Sequence, residues 1–201
     1  MANIFIISAP SGAGKSSLIE GLIAKDTAIK KSISVTTRKP RPGEQNGQHY
    51  FFTTEADFQV RLEDGEFLEH ALVHGNWYGT SKALVEKELE NQNDLILEID
   101  YQGAQVIRNQ YPTSISIFIL PPTKAALRSR LENRNTDDTE TIEQRIKAAG
   151  NEISHISEYQ YAIINDSFET ALADLVAVVK SSRLAMGRPE TEEIINDFIK
   201  R

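Results

Sequence analysis

The chain has 201 residues, no cysteine and a formal net charge of −7. That length suffices for one domain with a substantial core and insertions. The missing thiols exclude disulfides, thiol catalysis and cysteine-ligated zinc or iron–sulfur sites, and the acidic balance argues against general nucleic-acid binding. There is no apolar run of about 18 residues, and the N-terminus has no basic flank or cleavage site of a secretory signal. The expectation is a cytoplasmic protein that neither crosses a membrane nor is exported.

In chain order, residues 3–8 (NIFIIS) read as a short buried strand. Ala9-Pro10-Ser11-Gly12-Ala13-Gly14-Lys15-Ser16-Ser17 follows, and residues 17–24 then read as a helix. Strand, Gly-rich turn, Lys-Ser and helix in that order make a phosphate cradle. The glycines let successive N–H groups point inward, and the helix adds its positive end. Lys15 is suited to the β- and γ-phosphates of a nucleotide and Ser16 to Mg²⁺. The pattern's first glycine is replaced by Ala9, which fits if its φ is negative.

Residues 32–36 and 50–53 are β-like, with a Pro/Gly loop at 38–47 between them. Thr54 with Asp57 three residues on reads as the start of a helix that stops near Gly65. Residues 66–73 and 76–80 read as strands joined by a tight turn at His74-Gly75. A helix over 81–91, a strand over 95–100 (LILEID), a helix over 103–109 and a strand over 114–120 follow. Pro121-Pro122 breaks the chain, and Thr123 caps a basic helix reaching Arg130. Residues 133–140 are polar and expected to be mobile. A helix over 141–156, a strand over 161–165, a helix over 168–186 and a terminal helix over 190–201 complete the chain. Alternating strands and helices imply a parallel α/β sheet, interrupted at about 33–81 and again at about 123–148.

The first interruption carries Ser34, Arg38, Arg41, Tyr50, Glu69, Tyr78 and Thr80. Two arginines beside a loop can fork onto a phosphate, and the tyrosine hydroxyls can assist. Glu69 is an acceptor suited to the N1–H and amino group of guanine. Asp100, ending a core strand, is a candidate for a metal-bound water, with Glu98 second; its alternative role is a helix cap. Arg130, Arg134 and Arg145 could close over a transferring phosphoryl group. Arg130 and Arg134 share a helix face, so Arg128 is left to solvent. The four histidines show no metal spacing, and Trp77 reads as core filler.

The stretches SAPSGAGKSSL, SVTTRKPRPGEQNGQHYFF, FLEHALVHGNWYGTS, LILEIDYQGAQVI, RSRLENRN with EQRI, and YAIINDSFETAL resemble bacterial guanylate kinases along nearly the whole chain. The resemblance implies a P-loop nucleoside-monophosphate kinase fold. Its parallel core would comprise 1–32, 82–122 and 149–201, with a mixed α/β GMP-binding insertion at 33–81 and a helical lid at 123–148. The family unit would span roughly 2–185. It further implies transfer of the γ-phosphoryl of MgATP to GMP, and to dGMP, in purine metabolism.

By resemblance, Ser34, Arg38, Arg41, Tyr50, Glu69, Tyr78, Thr80 and Asp100 bind GMP. Residues Ala9, Pro10, Ser11, Gly12, Ala13, Gly14, Lys15, Ser16, Ser17 and Asn165 bind ATP. Lys15, Arg38, Arg130, Arg134 and Arg145 surround the transferred group, and Ser16 and Asp100 serve Mg²⁺. Asn133 and Asn135 stand where the family often has glycine. Two rivals are a sugar-phosphate kinase, disfavoured by Glu69, and a catalytically dead binding module, disfavoured because Lys15 and the lid arginines are present. A P-loop GTPase lacks support without an NKxD-type motif. No obligate protein partner is expected; self-association through the terminal helix is left open.

Overall fold

The computed structural model describes residues 2–73, 75–133, 138–185 and 189–199. Five short strands form an all-parallel sheet in the order β2-β7-β1-β8-β9: β1 (Ile4–Ser8), β2 (Ile29–Lys31), β7 (Asp94–Glu98), β8 (Ile115–Leu120) and β9 (Tyr161–Ile164). The three central strands are near-continuous apolar runs because both their faces are covered. One face, with Phe5, Ile7, Ile96, Ile117 and Ile119, packs against Leu18, Ile19 and Leu22 of α1 (Lys15–Lys25) and Ala171, Leu172 and Leu175 of α7 (Phe168–Ser182). The other, with Ile4, Ile6, Leu95 and Leu97, packs against Val85 of α3 (Lys82–Glu90) and Ala104 and Ile107 of α4 (Tyr101–Gln110).

A second sheet, β4-β3-β6-β5, lies wholly within the first interruption: β3 (Val35–Thr36), β4 (Phe51–Phe52), β5 (Phe67–Val73) and β6 (Asn76–Ser81). The segment 32–36, expected as one strand, is divided between the sheets. Ser32 N–H still bonds the Ile96 carbonyl of the core, whereas Val35 and Thr36 pair with β4 and β6. Helix α2 (Glu55–Glu63) is capped by Thr54 as its sequence predicts. It lays Phe58 on the Phe67 ring, 4.5 Å between centroids, with Trp77 stacked beyond. Trp77 is therefore packing, as its sequence position suggests.

Helices α5 (Lys124–Glu132) and α6 (Thr139–Ser154) pair through a small core of their own: Leu127, Leu131, Ile142, Ile146 and Ala149. Arg128 ties them at the surface, 2.6 Å from Glu143. Helix α6 starts inside the polar 133–140 stretch, at Thr139, because Asp138 caps it at the Thr141 N–H. Arg134 and Asn135 lie outside the described residues, as does His74. A terminal helix, α8 (Pro189–Ile199), is present as expected.

At the end of the core sheet opposite the P-loop, one arginine joins three elements. Arg183 donates from Nε to Asp94 at 2.7 Å and from Nη1 to Asp26 at 2.5 Å. The Asn3 amide and side chain hold the other Asp94 oxygen. The hydrogen bond from Arg183 lowers the Asp26 pKa against a smaller opposing effect of burial. This stabilisation is therefore present at neutral pH and lost as pH falls through the lowered Asp26 pKa. Arg183→Ala leaves the nearly buried Asp94 without its cation and is expected to cost about 2 kcal/mol. Thermal unfolding at pH 7 checks this, with nucleotide KM values unchanged because the cluster is remote from the site.

Candidate active site

The carboxyl end of β1 runs into Ala9–Gly14 and then α1. Gly12 and Gly14 have φ of +96° and +92°, conformations that strain residues with a side chain. A Cβ on Gly14 would also collide with the Asn165 amide nitrogen. Among the described residues, the non-glycine position with positive φ is Gln92. Ala9 therefore meets the condition its sequence set, and its methyl packs against the core.

The loop is braced from beneath. Asn165 Nδ2 donates to the Ala13 carbonyl at 2.7 Å. Arg130 donates to the Asn165 carbonyl at 2.7 Å and to the Ala13 carbonyl at 3.4 Å. Both residues were expected at the nucleotide itself; here their nitrogens hold the loop's backbone.

Lys15, Ser16 and the loop line one wall of a cavity of about 240 Å³. Ser34, Arg41, Tyr50, Glu69, Tyr78 and Asp100 line the rest with Glu98 and Glu152. Six of the eight residues expected around one ligand thus share a cavity with the P-loop. Thr80 stands directly behind, its hydroxyl donating to Glu69. Arg38 opens instead onto an adjoining cleft with Ser11, Arg41, Tyr78 and Arg145. That cleft brings three arginines, two from the 38–47 loop and one from α6, to one space beside the P-loop.

Arg38 is pre-set. Its guanidinium lies 5.3 Å from the Tyr50 ring centroid and donates to Glu44 at 2.8 Å. Glu44 also accepts from the Arg41 amide at 2.7 Å. Burial acts to raise the Glu44 pKa, but hydrogen bonds and charge from the two arginines outweigh it and leave the group lowered. Glu44 was not among the residues singled out by sequence; its place three residues after Arg41 was the available signal.

Glu69 is 5% exposed. Burial raises its carboxyl to about 7, with Asp100 adding to the rise and the Thr80 hydroxyl opposing it. Gly103 lets this carboxylate approach the start of α4, since a Cβ there would collide with Glu69 Oε2. Buried Ser34 and Thr80 complete a polar end to an otherwise packed wall.

The acidic residue beside the P-loop serine is Glu98, not Asp100. Ser16 Oγ donates to Glu98 Oε1 at 2.6 Å, and Lys31 holds Oε2 at 2.6 Å. Burial would raise the Glu98 pKa; Lys15, Lys31 and the Ser16 hydroxyl together lower it. Asp100 takes its alternative role and caps α4, accepting from Gly103 N–H at 3.0 Å and from Gln102 at 2.9 Å. Among the described residues, no cluster of His, Cys, Asp and Glu could hold a metal without a ligand's help.

A P-loop braced at the carboxyl end of the central strand of a parallel sheet, with a cavity and an arginine-bearing cleft opening beside it, defines a phosphotransferase that uses a nucleotide donor. The family model described as guanylate kinase matches residues 1–182. A guanylate kinase of Thiobacillus denitrificans is 51% identical over 185 residues, covering 92% of this chain and 88% of that protein. One of Methylobacillus flagellatus is 55% identical over 182 residues, 90% of each. The crystal structure of guanylate kinase from Anaplasma phagocytophilum superposes with a TM-score of 0.79 at 31% identity, covering 98% of this chain and 94% of that one. The chain belongs to the guanylate kinase family, nucleoside-monophosphate kinases that phosphorylate GMP using ATP.

Proposed function

We propose that the guanine of GMP lies at the Glu69 end of the cavity and its phosphate at the arginine end. The carrying observation is Glu69, a buried carboxylate backed by Thr80 in a cavity shared with the P-loop. Ionised, it accepts from guanine N1–H and the amino group; adenine offers no such pair of donors. Ser34, in the cavity wall, supplies a further polar contact of the base, and Thr80 acts through Glu69. Tyr50, Tyr78, Arg38 and Arg41 bind the phosphate, and Asp100 stands from the core near the guanine, beside Glu69.

The donor's phosphates are held by Ala9–Ser17, with Lys15 on the β- and γ-phosphates. Asn165 and Arg130 act from behind the loop, keeping its N–H groups aimed outward. Ser16 and Glu98 present hard oxygen donors side by side, the chemistry magnesium takes together with water and phosphate. Bound there, magnesium would offset charge on the donor's phosphates; on this reading Glu98, rather than Asp100, holds the metal's water.

Transfer is an in-line displacement by a phosphate oxygen of GMP, which is already largely ionised at pH 7 and needs no protein base. The chain's contribution is positioning and charge. Arg145, on α6, joins Lys15 and Arg38 around the transferred group, and Arg134 is assigned there by resemblance. The core at 1–32, 82–122 and 149–201, the acceptor region at 33–81 and the lid at 123–148 close on each other when both substrates bind. The acidic charge is in keeping with an enzyme that has no nucleic-acid partner.

A coupled assay with MgATP and GMP, dGMP, AMP or ribose 5-phosphate tests the assignment. GMP and dGMP are expected to turn over and the others to fail. Preference for AMP removes the role given to Glu69.

A further inference from the structure

Glu152 lies on α6, far in sequence from the P-loop, yet lines the same cavity as Lys15, Ser16 and Asp100. It stands seven residues after Arg145, two helical turns on, so the two share a face of α6. Arg145 meets the cleft of Arg38 and Arg41, and Glu152 the cavity shared with the P-loop. The root of α6 is anchored at this level: His155 stacks on Tyr101 at 4.1 Å, and Asn151 donates to the Tyr101 hydroxyl at 3.3 Å. Glu152 is thus built into the wall rather than carried on a loose surface.

A carboxylate facing the lysine that must bind a polyphosphate is an electrostatic cost to donor binding. Glu98, in the same cavity, is already engaged by Ser16 and Lys31. Glu152 forms none of the salt bridges found among the described residues.

We propose that Glu152 is a further residue of the phosphoryl-transfer site, the countercharge that faces Lys15 in the open cleft and opposes entry of the donor's phosphates. It is a positioning residue: it acts through Lys15 and sets donor affinity, leaving recognition of GMP to the far end of the cavity. The charged groups around it are Lys15 on α1, Glu98 at the end of β7, Asp100 at the start of α4, and His155 one turn on, whose Nδ1 pairs with Glu158 at 2.7 Å. Burial raises the Glu152 carboxyl to about 7, Lys15 opposing and Asp100 adding to the rise. The countercharge is therefore expressed above neutrality and muted below it.

The inference rests on the donor site proposed above. The test is calorimetric binding of MgATP without GMP, comparing the wild type with Glu152→Gln at pH 6 and pH 8. At pH 8 Glu152→Gln is expected to bind on the order of fivefold tighter, the scale of one like charge removed across a wet cavity. At pH 6 the difference should shrink toward none, and GMP affinity should not change at either pH. Equal donor affinity at pH 8, or weaker binding at both pH values with a lowered Tm, overturns the proposal, the second outcome marking a purely structural residue. Lys15→Met separates the two layers: if it keeps wild-type donor affinity, the donor-site reading itself fails.

Discussion

Lys15→Ala is expected to lower kcat by about 10³-fold or more, while the KM for GMP changes by no more than about threefold. Charge spreads over the γ-phosphoryl oxygens as transfer proceeds, and Lys15 is the P-loop's only cation in the shared cavity. Its removal takes away an interaction that grows toward the transition state, which appears in kcat rather than in acceptor binding. On the proposed placement GMP is held by Glu69, Tyr50 and Arg41 rather than by Lys15, so its affinity is spared. The fold is spared too, because the loop is held by Asn165 and Arg130 through backbone carbonyls that the substitution does not touch. Steady-state kinetics with each substrate varied, beside thermal unfolding, measures all three quantities. Wild-type-like turnover would remove Lys15 from the transfer step.

Glu69→Gln should reduce kcat/KM for GMP by about 10²-fold. The glutamine amide keeps one acceptor but turns a donor toward the donor-rich guanine edge, leaving buried groups opposed. The variant should also alter pH dependence. The Glu69 carboxyl, raised by burial to about 7, must lose its proton to accept from guanine, so wild-type GMP affinity weakens as pH falls below about 7. The glutamine variant loses that dependence. The linkage in the empty protein has the opposite sign. A carboxyl raised on folding contributes stability fully below its unfolded value near 4.5, and that share is lost as pH rises through about 7. GMP should therefore raise Tm more at pH 8 than at pH 6, a difference that Glu69→Gln abolishes.

Some of this architecture could be read because single residues carry enough information. Gly14-Lys15-Ser16 after an apolar pentapeptide admits few structures, and Thr54 with Asp57 announces a helix start. Glu69 was suggestive for its chemistry, but its burial could not be read: its neighbours along the strand, Leu68 and His70, say nothing of Gly103, whose missing side chain makes room for it. The acidic pair Glu98 and Asp100 shows the limit most clearly. Strand alternation would put both on one face, yet β7 ends at Glu98 and Asp100 turns to cap α4. Glu98, the second candidate, therefore stands beside Ser16, and Asp100 takes the helix cap that was its alternative. Arg130 and Asn165 were recognisable as site residues, but their bracing of the Ala13 carbonyl depends on two loops meeting.

The sequence by itself determined the class of chemistry: a phosphate cradle, an arginine-bearing acceptor region and an acceptor group matched to guanine. These depend on side-chain type and on short spacings, which local backbone rules convert directly into geometry. The tertiary structure alone decided which carboxylate stands by Ser16, that Glu44 holds Arg38 and the Arg41 amide, and that Glu152 faces the cavity of Lys15. Each of these contacts joins elements distant in sequence or depends on a loop's path, and no local periodicity encodes the distance between such groups.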